Sequence, residues 1–503
     1  MFLCIQRGKA PIRRQLRDQL EALIREGALP PGTRLPSSRV LAGILRISRN
    51  TVLEVYDSLV AEGILEPAGA AGTFVAAHRA QAAGAAGRGE QRGDCAAGWQ
   101  AALSAAARRL TTGAPGTTPP YDPGTDGTCA HWWDERSAEE FRLCLNGVLR
   151  RAGLAVLGYA PPEGYGPLRE WISGYMRDRG IRVSPREVLI VNGAQQALDL
   201  VSRTFIDPGD LVLVQEPVDP NVAACFRHAG AELRGIPVSP SGLDLQSLAT
   251  ALTERVPKLV YLVPTLHRPT GVTMDLATRL RLLECARHHG FLVLEDAFGD
   301  ELCYPGHLVP PLKAHAGSGQ VMYVGSMSRS LFPGIRIGWV VADPDVILAL
   351  GAAKRTSDRC SSPLLQAALY EFCRRGLYRR HLARLRRVSR ARGDALAAAL
   401  ERHLPPRASW HVTDGGTSAW ITLPPGVDCL RLLDAADGTG VRIEPGLRYF
   451  LNGGGTRHLR LKCGEPSRAE TEVASLAALI TFLDTHEATL RDPVRGEEKP
   501  KEE

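Results

Sequence analysis

Apolar positions in the first 75 residues follow the 3.6-residue period of α-helices. Residues 11–26 place Leu16, Leu20, Leu23 and Ile24 on one face of a helix. The segment 29–67 predicts two more helices joined by a tight turn, and residues 64–75 have strand character on both sides of a turn of small residues. The pattern therefore predicts three helices followed by a β-hairpin that forms a wing.

The two shorter helices carry their own cap residues and apolar faces. Ser37 or Ser38 can cap the first, with Val40, Leu41 and Ile44 facing inward. Ser48 can cap the second and Gly63 can end it. The apolar face predicted for this second helix consists of Val52, Val55, Tyr56 and Leu59.

From residue 121 to about residue 487, short apolar strands alternate with amphipathic helices. The predicted strands are 188–192, 211–215, 258–263, 291–295, 321–324 and 338–341. Helical patterns such as 194–205 and 276–289 separate several of them. This alternation predicts an α/β fold with a mixed, mostly parallel sheet and helices on both faces, in which ligands bind beyond the carboxyl ends of the strands.

The remaining segments complete a prediction of four regions. A long basic helix at 379–400 and strands at 418–423, 441–444 and 458–461 predict a small C-terminal α+β subdomain. Residues 76–117 are mostly Ala, Gly, Arg, Ser and Thr, a composition typical of a flexible linker. We therefore expect a module at 1–75, a linker at 76–117, a large domain at 118–488 and a disordered tail at 489–503.

Composition narrows the class of protein. The chain has 503 residues, 44% hydrophobic and 23% charged, with a net charge of +7. Its eleven cysteines include no CxxC pair, and no apolar run is long enough to span a membrane. We expect a soluble cytoplasmic protein with reduced thiols, no membrane partner and no metal site.

The placement of charge is more informative than its sum. Residues 34–49 hold four arginines and no acidic residue, around the predicted start of the third helix. A helix N-terminus with hydroxyls and arginines suits contacts to phosphates and base edges. Such a run can also be a solvated helix face, but the turn, the caps and the wing favour DNA binding.

The N-terminal module closely resembles the winged helix-turn-helix of the GntR superfamily. The matching stretches are RLPSSR at 34–39 and SRNTVLEVYDSLVAEG at 48–63. The resemblance implies a double-stranded DNA operator as partner, with Gly72 at the wing tip in the minor groove. The other residues that it implies to approach DNA are Arg34, Ser38, Arg39, Ser48, Arg49 and Thr51.

Several stretches of the long domain resemble fold-type I aminotransferases. They include LGYAPPEGYGPLREWI (157–172), VNGAQQALDL (191–200), PTGVTM (269–274), LEDAFGDEL (294–302), SMSRSLFPGIRIGW (326–339) and LRLKCG (459–464). With the N-terminal module, the whole chain resembles the MocR branch of GntR regulators, in which a winged helix is joined to an aminotransferase-like domain. The resemblance implies a homodimer and a pyridoxal 5'-phosphate (PLP) site.

Part of the chemistry of a PLP site is present. Such a site needs a lysine amine, a carboxylate at the pyridine nitrogen, an aromatic ring for stacking, and amides with an arginine for the phosphate. Asp296 at a strand end fits the carboxylate, and Gly193, Ala194 and Gln195 between a strand and a helix fit the phosphate. Arg336 can pair with the phosphate, and Arg460 resembles the arginine of the family that binds the substrate carboxylate.

The other expected groups are replaced. Where the family has a Schiff-base lysine after Ser328, this chain has Arg329, whose guanidinium is a poor nucleophile. The family's tyrosine at the ring oxygen aligns with Phe298, and its stacking aromatic aligns with Asp219. Arg268 takes a position that is often Asn in aminotransferases. Covalent attachment of PLP and transamination are therefore not expected. The affinity for PLP bound non-covalently should be lower by more than about tenfold.

Three functional hypotheses remain open at this point. The first is a transcriptional regulator whose aminotransferase-like domain dimerises and senses an anionic small molecule through its arginines. The second is an aminotransferase-type regulator that still binds PLP, and the third is a scaffold that only dimerises the DNA-binding modules. Within the pocket, Arg329 either helps to bind a ligand or pairs with Asp296 or Asp219.

Overall fold

The computed structural model describes most of the chain in two compact units. The described residues are 11–25, 29–45, 47–68, 72–76, 104–107, 134–304, 306–316, 319–415, 418–436, 439, 441, 443–462 and 465–491, with the side chains of 25 and 486–491 excepted. One unit spans residues 1–103 and the other 104–503. Most of the predicted linker and residues 492–503 of the predicted tail lie outside the described residues.

The N-terminal unit contains the predicted helices and hairpin. Its elements are α1 (Ile12–Arg25), α2 (Ser38–Leu45), α3 (Arg49–Ala61), β1 (Leu65–Pro67) and β2 (Thr73–Val75). The two strands pair antiparallel, with Leu65 opposite Val75. The prediction of a winged helix-turn-helix is confirmed.

The core of this unit includes most, but not all, of the predicted apolar positions. Leu16 and Leu20 of α1 are fully buried, and the four predicted residues of α3 are buried with them. The prediction that Val40 and Ile44 face inward is wrong, because their exposed fractions are 55% and 66%. The eight-residue α2 packs through Leu41 and Ala42 instead, so its apolar pattern is wider than its buried face.

The large sheet of the second unit has seven strands. They are β3 (Val188–Val191), β4 (Leu211–Glu216), β5 (Glu232–Pro237), β6 (Leu259–Leu262), β7 (Leu292–Asp296), β8 (Val321–Ser326) and β9 (Gly338–Val341). Their order is β3-β9-β8-β7-β6-β4-β5, and β9 runs antiparallel to both of its neighbours while the other pairs are parallel. The predicted mixed, mostly parallel sheet is confirmed, although the half-polar edge strand β5 was not predicted.

Helices surround this sheet. They are α4 (Glu135–Ala152), α5 (Gly166–Arg177), α6 (Ala194–Phe205), α7 (Pro220–Ala229), α8 (Leu245–Glu254), α9 (Leu276–His289), α10 (Leu312–His315), α11 (Pro344–Ser357) and α12 (Pro363–Arg374). Separate buried clusters fill the two sides of the sheet, one of them between its strands and α6, α7 and α11. The helices therefore shield both faces, and ligands can reach the sheet only at the ends of its strands.

A smaller antiparallel sheet follows the long helix α13 (Leu377–His403). Its strands are β10 (Ser409–Val412), β11 (Ser418–Thr422), β12 (Ile443–Pro445) and β13 (His458–Lys462), in the order β10-β11-β13-β12. Helices α14 (Cys429–Ala436) and α15 (Pro466–Arg491) accompany it, so the predicted α+β subdomain is confirmed. Helix α15 extends three residues into the segment predicted to be a disordered tail. Among the described residues, no helix is long and apolar enough to cross a membrane.

Candidate functional sites

The wing and the strand-like segment before α2 place two of the predicted DNA-contacting residues together. Arg34 is exposed and forms an isolated bridge with Phe74 of β2. Gly72 has a φ of +112°, and a Cβ atom at this position would lie 3.0 Å from Nε of Arg34. Glycine therefore allows both the backbone turn at the wing and the close approach of the guanidinium.

The start of α3 gathers the remaining predicted DNA-contacting residues that are described. The hydroxyl of Ser48 caps α3 by accepting a hydrogen bond from the amide of Asn50 at 3.2 Å. Nε of Arg49 donates to Oγ of Ser38 at 3.5 Å, which joins α2 to the first turn of α3. Thr51 follows in the same turn and Arg39 is exposed on α2. The fourth arginine of this segment, Arg46, lies outside the described residues.

In the second unit, the turn between β3 and α6 forms the anion end of the candidate ligand site. Gly193 is the N-cap of α6 and has a φ of +83°. A Cβ atom at Gly193 would lie 2.7 Å from Nη2 of Arg336, and that nitrogen donates to the carbonyl of Asn192 at 2.9 Å. A helix N-terminus without a side-chain cap beside a guanidinium is a suitable environment for phosphate.

The side chain of Gln195, the last of the three residues predicted at this anion end, has a partner of its own. The side chain of Gln195 donates to Sγ of Cys225 at 2.9 Å, so it is engaged on the neighbouring helix α7, whereas Ala194 begins α6. Arg336 lines a cavity of about 390 Å³ together with Asn192, Ser361 and Ser362.

A partly buried group of polar side chains that sequence reasoning missed supports the same turn. The Asp358 carboxylate accepts hydrogen bonds from the side chains of Asn192 and Gln196, at 2.6 and 2.7 Å. The fully buried Lys354 donates to both oxygens of Asp358, at 2.7 and 2.9 Å. Because Asn192 and Gln196 lie more than 150 residues from Asp358 in sequence, only the fold reveals the group.

Asp296 lies at the carboxyl end of β7, as predicted, and is buried. Tyr261 of β6 donates its hydroxyl to one oxygen of Asp296 at 2.8 Å, and the amide of Phe298 donates to the other at 3.0 Å. Burial raises the pKa of Asp296 to about 6, although both hydrogen bonds act in the opposite direction. Tyr261 was not predicted, because its partner becomes known only when β6 and β7 are paired.

Arg329 lies in the turn after β8 and is almost fully buried. Its Cζ atom lies 6.0 Å from the centre of the Phe298 ring. A Cβ atom at Gly299 would collide with Cδ of Arg329, so a glycine is needed where the two segments pass each other. Ser328, which precedes Arg329, is buried and its amide donates to Oγ of Ser326 at 3.2 Å. The structure thus places Arg329, Phe298 and Asp296 in one region.

Asp219 and Arg268 form an ion pair at the ends of β4 and β6. Oδ2 of Asp219 lies 3.1 Å from Nε of Arg268, while Oδ1 caps α7 by accepting the amide of Asn221 at 2.9 Å. Burial lowers the pKa of Arg268, but Asp219 and other acidic groups outweigh this effect and raise the pKa above its ordinary value. The Asp219 charge is therefore compensated by Arg268.

Arg460 of β13 is also paired with an acid of its own chain. Its Nη1 donates to Oε2 of Glu444 at 3.0 Å, and its Nη2 donates to Oγ of Ser418 at 3.3 Å. The hydroxyl of Tyr449 donates to the same Glu444 oxygen at 2.7 Å, and Lys462 pairs with the other oxygen. Tyr449 also interacts with Arg268, so this group adjoins the Asp219–Arg268 pair. Glu444 and Tyr449 were not predicted.

These residues match some parts of PLP and not others. Asp296 fits a protonated ring nitrogen, and the turn at Gly193 with Arg336 fits the phosphate. The guanidinium of Arg329 does not fit the aldehyde, because it stays protonated and is not a useful nucleophile. The described residues therefore offer counterparts for the ring nitrogen and the phosphate of PLP, whereas position 329 offers no amine for its aldehyde.

Comparisons with known proteins identify a family for each of the two parts of the chain. The model of the family "Bacterial regulatory proteins, gntR family" matches residues 12–75, and that of "Aminotransferase class I and II" matches residues 119–433. The probable rhizopine catabolism regulatory protein MocR of Rhizobium meliloti is 32% identical over 90% of this chain and 90% of its own length. The chain belongs to the MocR subfamily of GntR-type transcriptional regulators.

Other relatives of this MocR-subfamily regulator resemble its large domain alone. Aromatic-amino-acid aminotransferase 1 of Thermococcus litoralis is 35% identical over 60% of this chain and 74% of its own length. The structure of LysN, an α-aminoadipate aminotransferase of Thermus thermophilus complexed with N-(5'-phosphopyridoxyl)-L-leucine, has a TM-score of 0.70 and 31% identity. The match covers 77% of this chain and 99% of LysN. The MocR-subfamily chain is therefore a transcriptional regulator with an aminotransferase-like domain.

Proposed function

We propose that this regulator binds a double-stranded operator as a homodimer and responds to an anionic, phosphate-bearing small molecule without transaminating it. The observation that carries the proposal is Arg329 in the turn after β8, where the family resemblance requires a lysine. When bound, PLP supplies an electron sink for carbanion chemistry, but that chemistry depends on an amine to attach and release it.

The DNA-binding part of the proposal rests on the surface at the start of α3. Exposed Arg34, Arg39 and Arg49 adjoin the hydroxyl groups of Ser38 and Ser48 and the wing glycine. Arginines and a helix N-terminus both neutralise phosphates, so the affinity for DNA should fall steeply with salt concentration.

The sensing part rests on the turn at Gly193. Arg336 is exposed there, donates to a neutral carbonyl and, among the described residues, forms no ion pair. Its charge remains available to a ligand, and the adjoining cavity of about 390 Å³ has the size of a small-molecule pocket.

The dimer is supported by an apolar patch before α5. Leu154 and Tyr159 are 83% and 81% exposed, Leu157 is 59% exposed, and Arg359 lies over the Tyr159 ring at 5.4 Å. Exposed apolar side chains that adjoin one another are typical of protein–protein interfaces.

The proposal that Arg329 has replaced the Schiff-base lysine is tested by comparing the wild type with Arg329→Lys in the presence of PLP. We expect that borohydride fixes no PLP in the pocket of the wild type. If the rest of the site still accepts the ring, Arg329→Lys gains a visible absorption band and becomes labelled at residue 329. Arg336→Lys is the matched control, because it makes the same exchange at the phosphate end. Borohydride-fixed PLP in the pocket of the wild type would contradict the proposal and favour the alternative, an aminotransferase-type regulator that retains its cofactor.

A further inference from the structure

Glu444 lies at the centre of a buried charge cluster between the large domain and the C-terminal subdomain. We define the junction cluster as Asp219, Arg268, Glu444, Tyr449, Arg460 and Lys462. Its large-domain members follow the carboxyl ends of β4 and β6, where ligands of parallel sheets bind. Its other members belong to the small sheet or to the 3₁₀ turn Gly446–Tyr449.

Both oxygens of the Glu444 carboxylate are engaged by donors of the chain. Oε2 receives Nη1 of Arg460 at 3.0 Å and the hydroxyl of Tyr449 at 2.7 Å, and Oε1 pairs with Nζ of Lys462. The Glu444 side chain is 14% exposed and that of Arg460 is 6% exposed. Glu444 therefore already occupies one terminal nitrogen of Arg460, the Tyr449 hydroxyl and Nζ of Lys462. The other terminal nitrogen of Arg460 donates to Ser418.

Strand register fixes this arrangement. Glu444 of β12 lies directly opposite Arg460 of β13 in the antiparallel pair, and Lys462 lies two residues further on the same face. A tethered carboxylate that already lies opposite its partner has an advantage over a free one, because it loses no translational freedom on binding.

Electrostatics keep Glu444 charged. Burial alone would raise its pKa, but Arg460, Lys462 and Arg268 outweigh burial and hold the pKa of Glu444 well below its ordinary value. Glu444 therefore stays ionised at mildly acidic pH. Its protonation does not release Arg460 for the carboxylate of a ligand.

The anion end at Gly193 differs in this respect. Arg336 donates to the neutral carbonyl of Asn192 and, within the part of the chain that the structure describes, has no acidic partner within ion-pair distance. The two ends of the site thus differ in how their arginines are paired: Arg336 has no acidic partner among the described residues, whereas Arg460 is already paired with Glu444.

We propose that Glu444 is a specificity-determining residue that occupies Arg460 from within the chain and thereby rejects ligands that bind through a carboxylate, such as amino acids and dicarboxylic acids. This inference rests on the proposed function in one respect, namely that a ligand binds in this region. It narrows the effector to compounds that are recognised through a phosphate at Gly193 and Arg336.

The test measures thermal unfolding of the full-length protein with millimolar glutarate and, separately, with inorganic phosphate. The key variant is Glu444→Gln/Lys462→Gln, which removes one charge of each sign and leaves Arg460 without its acid. The matched control is Glu470→Gln/Arg402→Gln, which removes an exposed ion pair of the same subdomain. We expect glutarate to stabilise the key variant with an apparent Kd at least about tenfold lower than for the wild type, and the control to behave as the wild type does.

Two further variants show whether the gain depends on Arg460 and provide an alternative if the key variant does not fold. Adding Arg460→Gln to the key variant should abolish its gain. If the key variant does not fold, the single variant Glu444→Gln keeps the contact with Tyr449 and should gain the same response. Equal responses of the wild type and the folded variant to glutarate, whether both bind or neither does, would overturn the role of Glu444.

The phosphate arm separates the two proposals. A wild type that inorganic phosphate does not stabilise would count against phosphate sensing at Arg336, whereas the comparison with glutarate would still decide the role of Glu444.

Discussion

At the scale of single residues, the character of the ligand site depends on which of its charged side chains are paired with an opposite charge of the same chain. Asp219 neutralises Arg268, Glu444 neutralises Arg460, and Asp358 neutralises Lys354. Asp296 is instead buried between a hydroxyl donor and an amide donor, and burial raises its pKa to about 6. Its titration should therefore be visible in the stability of the protein.

Substitution of Asp296 by Asn should change how stability depends on pH. Between about pH 4 and pH 6 the folded state binds a proton at Asp296 that the unfolded state has lost, so the wild type loses stability as the pH rises through this window. Asp296→Asn has no such proton. The free energy of unfolding of Asp296→Asn minus that of the wild type should therefore increase by up to about 3 kcal/mol between pH 4 and pH 7.

Urea unfolding at a series of pH values measures this difference. The control is Asp394→Asn, because it removes a carboxylate from the exposed surface and not from the buried site. A pH-independent difference for Asp296→Asn would show that Asp296 keeps its ordinary pKa in the folded protein.

At the scale of secondary-structure elements, α2 and α3 show what a sequence pattern can and cannot decide. The boundaries of α3, its Ser48 cap and its buried face agree with the prediction, because caps and periodicity are local properties. Val40 and Ile44 of α2 were assigned to the core and are exposed. In so short a helix, the apolar positions do not show which face the neighbouring elements will bury.

Arg49 at the first turn of α3 should contribute to DNA binding through its charge. Arg49→Ala is expected to weaken binding to a DNA duplex by about tenfold and to reduce the slope of log affinity against log salt by about 0.9, since one phosphate contact is lost. Fluorescence anisotropy over a range of salt concentrations measures both quantities. The control Arg14→Ala removes an exposed arginine of α1 and should leave the affinity and its salt dependence nearly unchanged. Equal effects of the two variants would show that the start of α3 is not the DNA-binding element.

At the scale of the whole molecule, the regulator needs two DNA-binding modules to meet two half-sites. The apolar patch at Leu154, Leu157 and Tyr159 is the surface that we expect to form the dimer. Leu154→Glu/Leu157→Glu places two like charges at this patch and should shift the protein from dimer to monomer in sedimentation equilibrium.

Loss of the dimer should also weaken binding to a duplex that carries two half-sites, because the second module no longer binds intramolecularly. Leu430→Glu/Leu433→Glu is the control, since it introduces the same two charges at exposed leucines of the small subdomain. The assignment of the interface fails if the Leu154→Glu/Leu157→Glu protein remains a dimer.

The sequence by itself determined the order of helices and strands in the N-terminal unit, the fold class of the whole chain and the replacement of the expected lysine by Arg329. These properties follow from periodicity, caps and residue identity along the chain, which are local. Only the tertiary structure decided that Tyr261 contacts Asp296, that Asp358 supports the turn at Gly193 and that Glu444 occupies Arg460. Such pairs depend on which strands become neighbours and in what register, and a single sequence does not encode that information in any short segment.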